Sequence, residues 1–250
     1  MSLRDLLPRR VLPVLVYHRV ASTTAAEDPL RLAVPPERFE AQIRHLRERG
    51  YEAVALEGPP ATARNQIALT FDDGYLDNYT AAFPILQRYA FGATVFVVTG
   101  AVGGRPGWHG DSTRSSARMM TWAHMEEMSR HGFSFQSHSR THPSLPSCDD
   151  AAALEELSGS RRELEDGLGR AVRAFAYPFG HFDERIVRLT ERAGYRSAWA
   201  AGLASGSRFT GERIQIATND GPASFALKSS GWGAWVRRAR HGPRALRGLR

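Results

Sequence analysis

Short apolar runs recur along the chain, and most are followed by a stretch whose apolar positions return every three or four residues. The runs "VLPVLVYH" (11–18), "IALTF" (67–71), "ATVFVVTG" (93–100), "FSFQSH" (133–138), "RAFAYP" (173–178), "RSAWA" (196–200) and "RIQIA" (213–217) predict strands. Helical spacing predicts helices at 35–51, 78–90, 121–132, 149–169 and 183–194. In the first, Pro36 suits an opening turn while Phe39, Ile43 and Leu46 share a face. Pro84 predicts a kink in the second. Thr121 is a candidate cap for the third, with Gly132 as its stop. Strand and helix alternate over most of the chain, which argues for a parallel sheet. About seven strands in one domain favour a deformed (β/α) barrel. The polar segments 19–35 and 101–120 both follow strands, where α/β barrels carry their chemistry.

The unusual polar residues sit at strand ends. His18 closes the first strand, and Asp72 and Asp73 follow "ALTF". His138 and His142 follow "FSFQS", and Tyr177, Pro178 and Gly180 follow "RAF". In a barrel these ends converge on one mouth. Two histidines and a carboxylate are a common ligand set for a divalent metal. His138 and His142 are four apart, and Pro143 restricts them to a single turn or tight loop. Each feature also has a plainer reading. An HxxxH pair is often incidental, Asp–Gly is ordinary turn chemistry, a lone histidine is often a core residue, and Pro–Phe–Gly is an ordinary turn.

In combination, "TFDDG", "HSRTH" and "RAFAYPFG" resemble, in that order, the signature motifs of the polysaccharide deacetylases of carbohydrate esterase family 4. The resemblance covers roughly residues 11–220. "VLVYHRV" and "RIQIA" resemble the branch that includes poly-N-acetylglucosamine deacetylases, in which the motif order is circularly permuted. The resemblance implies a barrel holding one divalent metal, Zn²⁺ foremost and Co²⁺ or Ni²⁺ as alternatives, on Asp73, His138 and His142. It makes Asp72 the general base and His18 the general acid. It assigns the oxyanion to the backbone N–H of Tyr75 and places Tyr177 on the oxyanion and substrate side. The expected activity is metal-dependent removal of N-acetyl groups from an amino-sugar-containing glycan or glycan precursor. An O-acetyl ester, a small non-sugar amide, or a silent carbohydrate-binding relative are the alternatives. Two departures stand out. Ala176 occupies the position where many members carry an arginine that tethers the base, and Arg173 is offset from it. The family's C-terminal leucine–histidine motif is missing after residue 200.

Composition changes this picture little, except at one end. The 250 residues are 42% hydrophobic and 24% charged, as in ordinary globular proteins. The single cysteine, Cys148, permits no internal disulfide. Neither a signal peptide nor a membrane-length apolar run is visible, so the expected location is cytoplasmic, or peripheral at the inner membrane face. The formal charge of +7 resides in the segment 228–250, where one lysine and six arginines meet no acid. The expected division is therefore a catalytic domain over 1–227 and a basic tail over 228–250. With Trp232 and Trp235, the tail is a candidate for an anionic membrane surface, and its plainer reading is a solvated end. No motif suggests nucleic acid.

Overall fold

The computed structural model describes residues 12–57, 65–108, 117–202 and 207–230. Its strands are β1 (Val14–Tyr17), β2 (Arg19–Val20), β3 (Ala33–Val34), β4 (Glu52–Ala53), β5 (Gln66–Phe71), β6 (Thr94–Val97), β7 (Ser134–Ser137), β8 (Ala174–Ala176), β9 (Ser197–Ala201) and β10 (Gly211–Gln215). Its α-helices are α1 (Pro36–Glu48), α2 (Phe83–Arg88), α3 (Trp122–Ser129), α4 (Asp150–Leu168), α5 (Glu184–Arg192) and α6 (Pro222–Ser229).

Strands β5 to β10 pair in sequence, all parallel, and β1 closes the ring by pairing with both β10 and β5. Seven strands therefore form a closed barrel, as the alternation predicts. Two short additions were not visible in the sequence: β4 extends the start of β5, and β2 pairs with β3 within the first polar loop.

The two-residue period of each strand divides the core into two layers. Leu15, Tyr17, Leu69, Phe71, Val95, Val97, Phe135, Phe175 and Tyr177 face outward and pack under the helices. Val14, Ala68, Phe96, Ala174, Ala176 and Trp199 fill the interior. Helix α1 buries Phe39, Gln42, Ile43 and Leu46 against the outer layer. Thr121 caps α3 in a reciprocal pair with His124, and Asp149 caps α4, which ends at the left-handed Gly169. At the expected kink, a π-helical turn (Asn78–Ala82) precedes α2, and Pro84 falls within the first turn of that helix, where its missing N–H costs nothing.

Helix α6 runs from the body of the barrel across position 227 to Ser229. Lys228 is bound into that body by Asp220 Oδ2 at 2.6 Å and Gln215 O at 2.8 Å. Trp232, Trp235 and the tail arginines lie outside the described residues. Among the described residues, no helix is long and apolar enough to cross a membrane.

Candidate functional site

Strand parity places the polar residues. Tyr17 pairs with Phe71 in register, and both rings stack outside the barrel at 5.5 Å. The next residue on each strand, His18 and Asp72, therefore turns the other way, into the mouth. The Asp72 N–H donates to Tyr17 O at 2.9 Å, which holds the two ends level. On β7, Phe135 faces outward and Ser137 reaches Ser160 of α4, so His138 turns inward.

Asp73, His138 and His142 converge there. Asp73 Oδ1 lies 3.5 Å from His138 Nε2 and 3.4 Å from His142 Nε2, and the two Nε2 atoms are 3.2 Å apart. All three residues are buried. Ligands about 2.0–2.2 Å from a tetrahedral ion stand roughly 3.3–3.6 Å from one another, so the spacing fits a metal. Three further observations agree with that fit. Asp73 Oδ1 is buried and accepts no hydrogen bond among the described residues. His138 Nδ1 is 2.8 Å from Ala176 O, to which it donates, leaving the Nε2 lone pair for a ligand bond. Burial also lowers the His138 pKa, favouring the neutral imidazole against the pull of Asp72.

The paired carboxylates have opposite electrostatics. Burial, and then the charge of Asp72, push the Asp73 carboxyl well above the usual range. For Asp72, burial is outweighed by Arg213, with His138 and His18 contributing, and its pKa falls to about 2. Arg213 is fully buried inside the barrel on β10, its guanidinium 4.9 Å from the Phe96 ring centroid. It forks onto Asp72, Nη1 to Oδ1 at 2.5 Å and Nη2 to Oδ2 at 2.8 Å. Asp72 is thus an ionised, oriented carboxylate beside the Asp73–His138–His142 cluster; its nearest approach to His138 Nε2 is 3.9 Å. Ala176 on β8 carries no guanidinium, and Arg213 reaches Asp72 from β10 instead, a pairing that no sequence motif marks.

Backbone conformation concentrates strain here. Seven non-glycine residues have positive φ among the described residues, and Asp73, Ser139, His142 and Phe179 are four of them. Such residues persist where the surroundings over-determine them. The His142 N–H donates to Ser139 Oγ at 3.0 Å across the loop. Trp108 stacks on the His142 ring at 4.7 Å, and Phe179, half exposed, meets it edge-on at 4.5 Å.

The remaining expected residues separate. His18 is half-buried, its carbonyl accepts from Asn78 Nδ2 at 2.8 Å, and its charge is felt by Asp72. Tyr75 lies at the site, and its phenol hydrogen-bonds the Asp73 carboxylate, a side-chain contact that the sequence did not suggest. Its neighbours Leu76 and Gly74 bridge the chain to Arg118 and Met120. The structure does not bring the Tyr177 phenol to the cluster. Parity sends that side chain to the outer layer, where its hydroxyl donates to Phe209 O at 3.0 Å and its ring stacks on Phe182. His181 Nδ1 is 3.2 Å from Ser144 Oγ, beside the Phe179 ring.

A family model described as polysaccharide deacetylase matches residues 60–198. The YxkH protein of Bacillus subtilis (strain 168), named for polysaccharide deacetylation, is 26% identical over 236 residues, covering 90% of this chain and 76% of that one. A poly-beta-1,6-N-acetyl-D-glucosamine N-deacetylase of Staphylococcus aureus (strain MSSA476) is 23% identical over 207 residues, covering 73% of this chain and 69% of its own. The solved structure of the Streptococcus pyogenes deacetylase PplD in complex with acetate superposes with a TM-score of 0.76 at 28% identity, covering 87% of this chain and 97% of that one. The matched span contains Asp72, Asp73, His138 and His142, the residues that the barrel gathers at its mouth, and the chain belongs to the polysaccharide deacetylase family.

Proposed function

We propose that this chain is a divalent-metal-dependent hydrolase that removes N-acetyl groups from an amino-sugar-containing glycan or glycan precursor. The observation that carries this reading is the division of labour between adjacent aspartates. Asp73 faces two histidines at ligand spacing, while Asp72 is held apart by Arg213. A silent carbohydrate-binding protein would have no use for that arrangement.

A divalent ion held by Asp73, His138 and His142, with Zn²⁺ the foremost candidate, would polarise the acyl carbonyl and acidify a water. The protein supplies the rest. Asp72, already ionised, takes the proton of the attacking water, and the Arg213 fork sets its orientation. The backbone N–H of Tyr75 is assigned to the oxyanion. An amine leaves poorly as an anion, so a proton must reach the nitrogen, and His18, across the β1–β5 seam from Asp72, is assigned to deliver it. Trp108 and Phe179 offer aromatic faces beside His142 on which a sugar ring can rest. The preference for an N-acetylated glycan draws support from the relative named as a poly-N-acetylglucosamine N-deacetylase.

The test is acetate release across a panel of N-acetylated oligosaccharides, lipid-linked sugars, nucleotide sugars and O-acetylated sugars, with added Zn²⁺, Co²⁺ or Ni²⁺. Release from the N-acetylated members, abolished by chelation, is the expected result. Release from O-acetyl esters alone would replace the amide reading.

A further inference from the structure

The geometry of the loop that connects the two histidines decides whether His142 can meet His138. Ser139 and His142 both have positive φ, at 67° and 63°. Left alone, such a turn would relax. What holds it is one face of α4. Glu156, Ser160 and Glu163 are spaced four and three apart, so they project from one side of the helix. Ser160 Oγ meets Ser137 Oγ at 2.7 Å at the end of β7. Glu163 receives Arg140 Nε at 2.7 Å and also the Thr99 hydroxyl. Glu156 makes the densest set. Its Oε2 accepts the backbone N–H groups of Arg140 and Thr141, both at 2.8 Å, and its Oε1 accepts the Thr141 hydroxyl at 2.6 Å.

The loop's other side is held as closely. The Gly100 N–H donates to Arg140 O at 2.8 Å, and a Cβ on Gly100 would stand 2.7 Å from that oxygen, so only glycine allows the approach. Arg140 and Thr141 are therefore clamped between the β6 end and α4, and His142 follows directly.

We propose that Glu156 is a positioning residue for the metal centre, fixing the Arg140–Thr141 turn so that His142 Nε2 stands at ligand distance from His138 and Asp73. Charge-assisted bonds from consecutive backbone N–H groups are strong and directional, which suits a device that sets angle more than stability. The proposal rests on the metal-centre reading above, and the experiment separates the two. Zn²⁺ affinity is measured on the full chain by chelator competition, and the visible absorption of the Co²⁺-substituted protein reports ligand geometry. E156A, which removes all three hydrogen bonds, should weaken Zn²⁺ binding by about 10- to 100-fold, as is common when a group supporting a metal ligand is lost. Its Co²⁺ bands should shift. E156Q retains length and an acceptor oxygen for the two N–H groups, and should stay near the parent. T141V loses only the hydroxyl bond and should fall between them. Parent-like affinity and spectrum in E156A would overturn the proposal, as would equal losses in E156A and E156Q. Should E156A fail to fold, a parent-like T141V would overturn it. Absence of stoichiometric binding by the parent would overturn the metal reading and this proposal together.

Discussion

Arg213 grips both carboxylate oxygens of Asp72 from a strand 141 residues further along the chain, and both side chains are buried within the barrel. Breaking a buried pair by removing one partner typically costs about 3–5 kcal/mol, so R213M should be markedly destabilised. R213K keeps the charge but not the fork, and is the more informative variant. It should fold and bind metal, and lose roughly 10- to 100-fold in kcat, the usual scale for a misplaced reacting group. A titration of Asp72 itself adds a second reading. Arg213 holds its carboxyl below the ordinary range, so the carboxylate is protonated only as pH falls to about 2. Without the fork, burial is less opposed and the pKa rises, so infrared titration should place the Asp72 carboxyl band at higher pH in R213K than in the parent. An unmoved band together with parent-like kcat would assign Arg213 a purely structural role.

The adjacent aspartates should separate under substitution. D73N exchanges an anionic ligand for a neutral amide and should weaken metal binding. D72N should keep the metal and lose about 10²- to 10⁴-fold in turnover, the usual worth of a general base. H138A and H142A should each abolish stoichiometric binding. Metal titration and turnover on the same preparations distinguish these outcomes, and equal metal loss in D72N and D73N would remove the distinction between base and ligand.

Asp73 offers a spectroscopic check. Its carboxyl is pushed upward by burial and by Asp72, so without metal it holds a proton above the ordinary carboxylate range. A bound cation must expel that proton. Difference infrared spectra in mildly acidic buffer should therefore show one protonated-carboxyl band disappearing on addition of Zn²⁺. D73N should lack the band. A parent spectrum without that loss would contradict the electrostatic account of the pair.

For His18, amide and ester substrates should diverge. H18A should keep the metal, lose most amide turnover, and lose much less on an aryl acetate, whose phenolate leaves unaided. Equal losses on both substrates would make His18 a wall of the pocket and not an acid.

Much of this architecture can be read from short-range pattern. Alternating apolar runs mark the barrel strands, and "TFDDG" and "HSRTH" mark Asp72, Asp73, His138 and His142 because those residues are neighbours in sequence. Arg213 is different. It is one of 33 lysines and arginines, and its partner lies 141 residues earlier in the chain, so no local spacing marks it. A signal was present: in "RIQIA", Arg213 and Gln215 alternate with Ile214 and Ile216, so a polar face had to turn into the barrel. The same parity places Tyr177 beside Phe175 on the outer face, away from the site. Strands β2 to β4 are two residues each, too short for periodicity to report.

The closing seam also sets the order in which the enzyme comes into being. During synthesis, a chain that has emerged only through β9 already contains Asp72, Asp73, His138 and His142, but β1 still lacks one neighbour and Asp72 lacks its guanidinium. The arrival of β10 supplies both at once. On the proposed reading, hydrolytic competence would be tied to completion of the barrel, and a ribosome-bound or prematurely ended chain would carry Asp73, His138 and His142 without the guanidinium that orients Asp72.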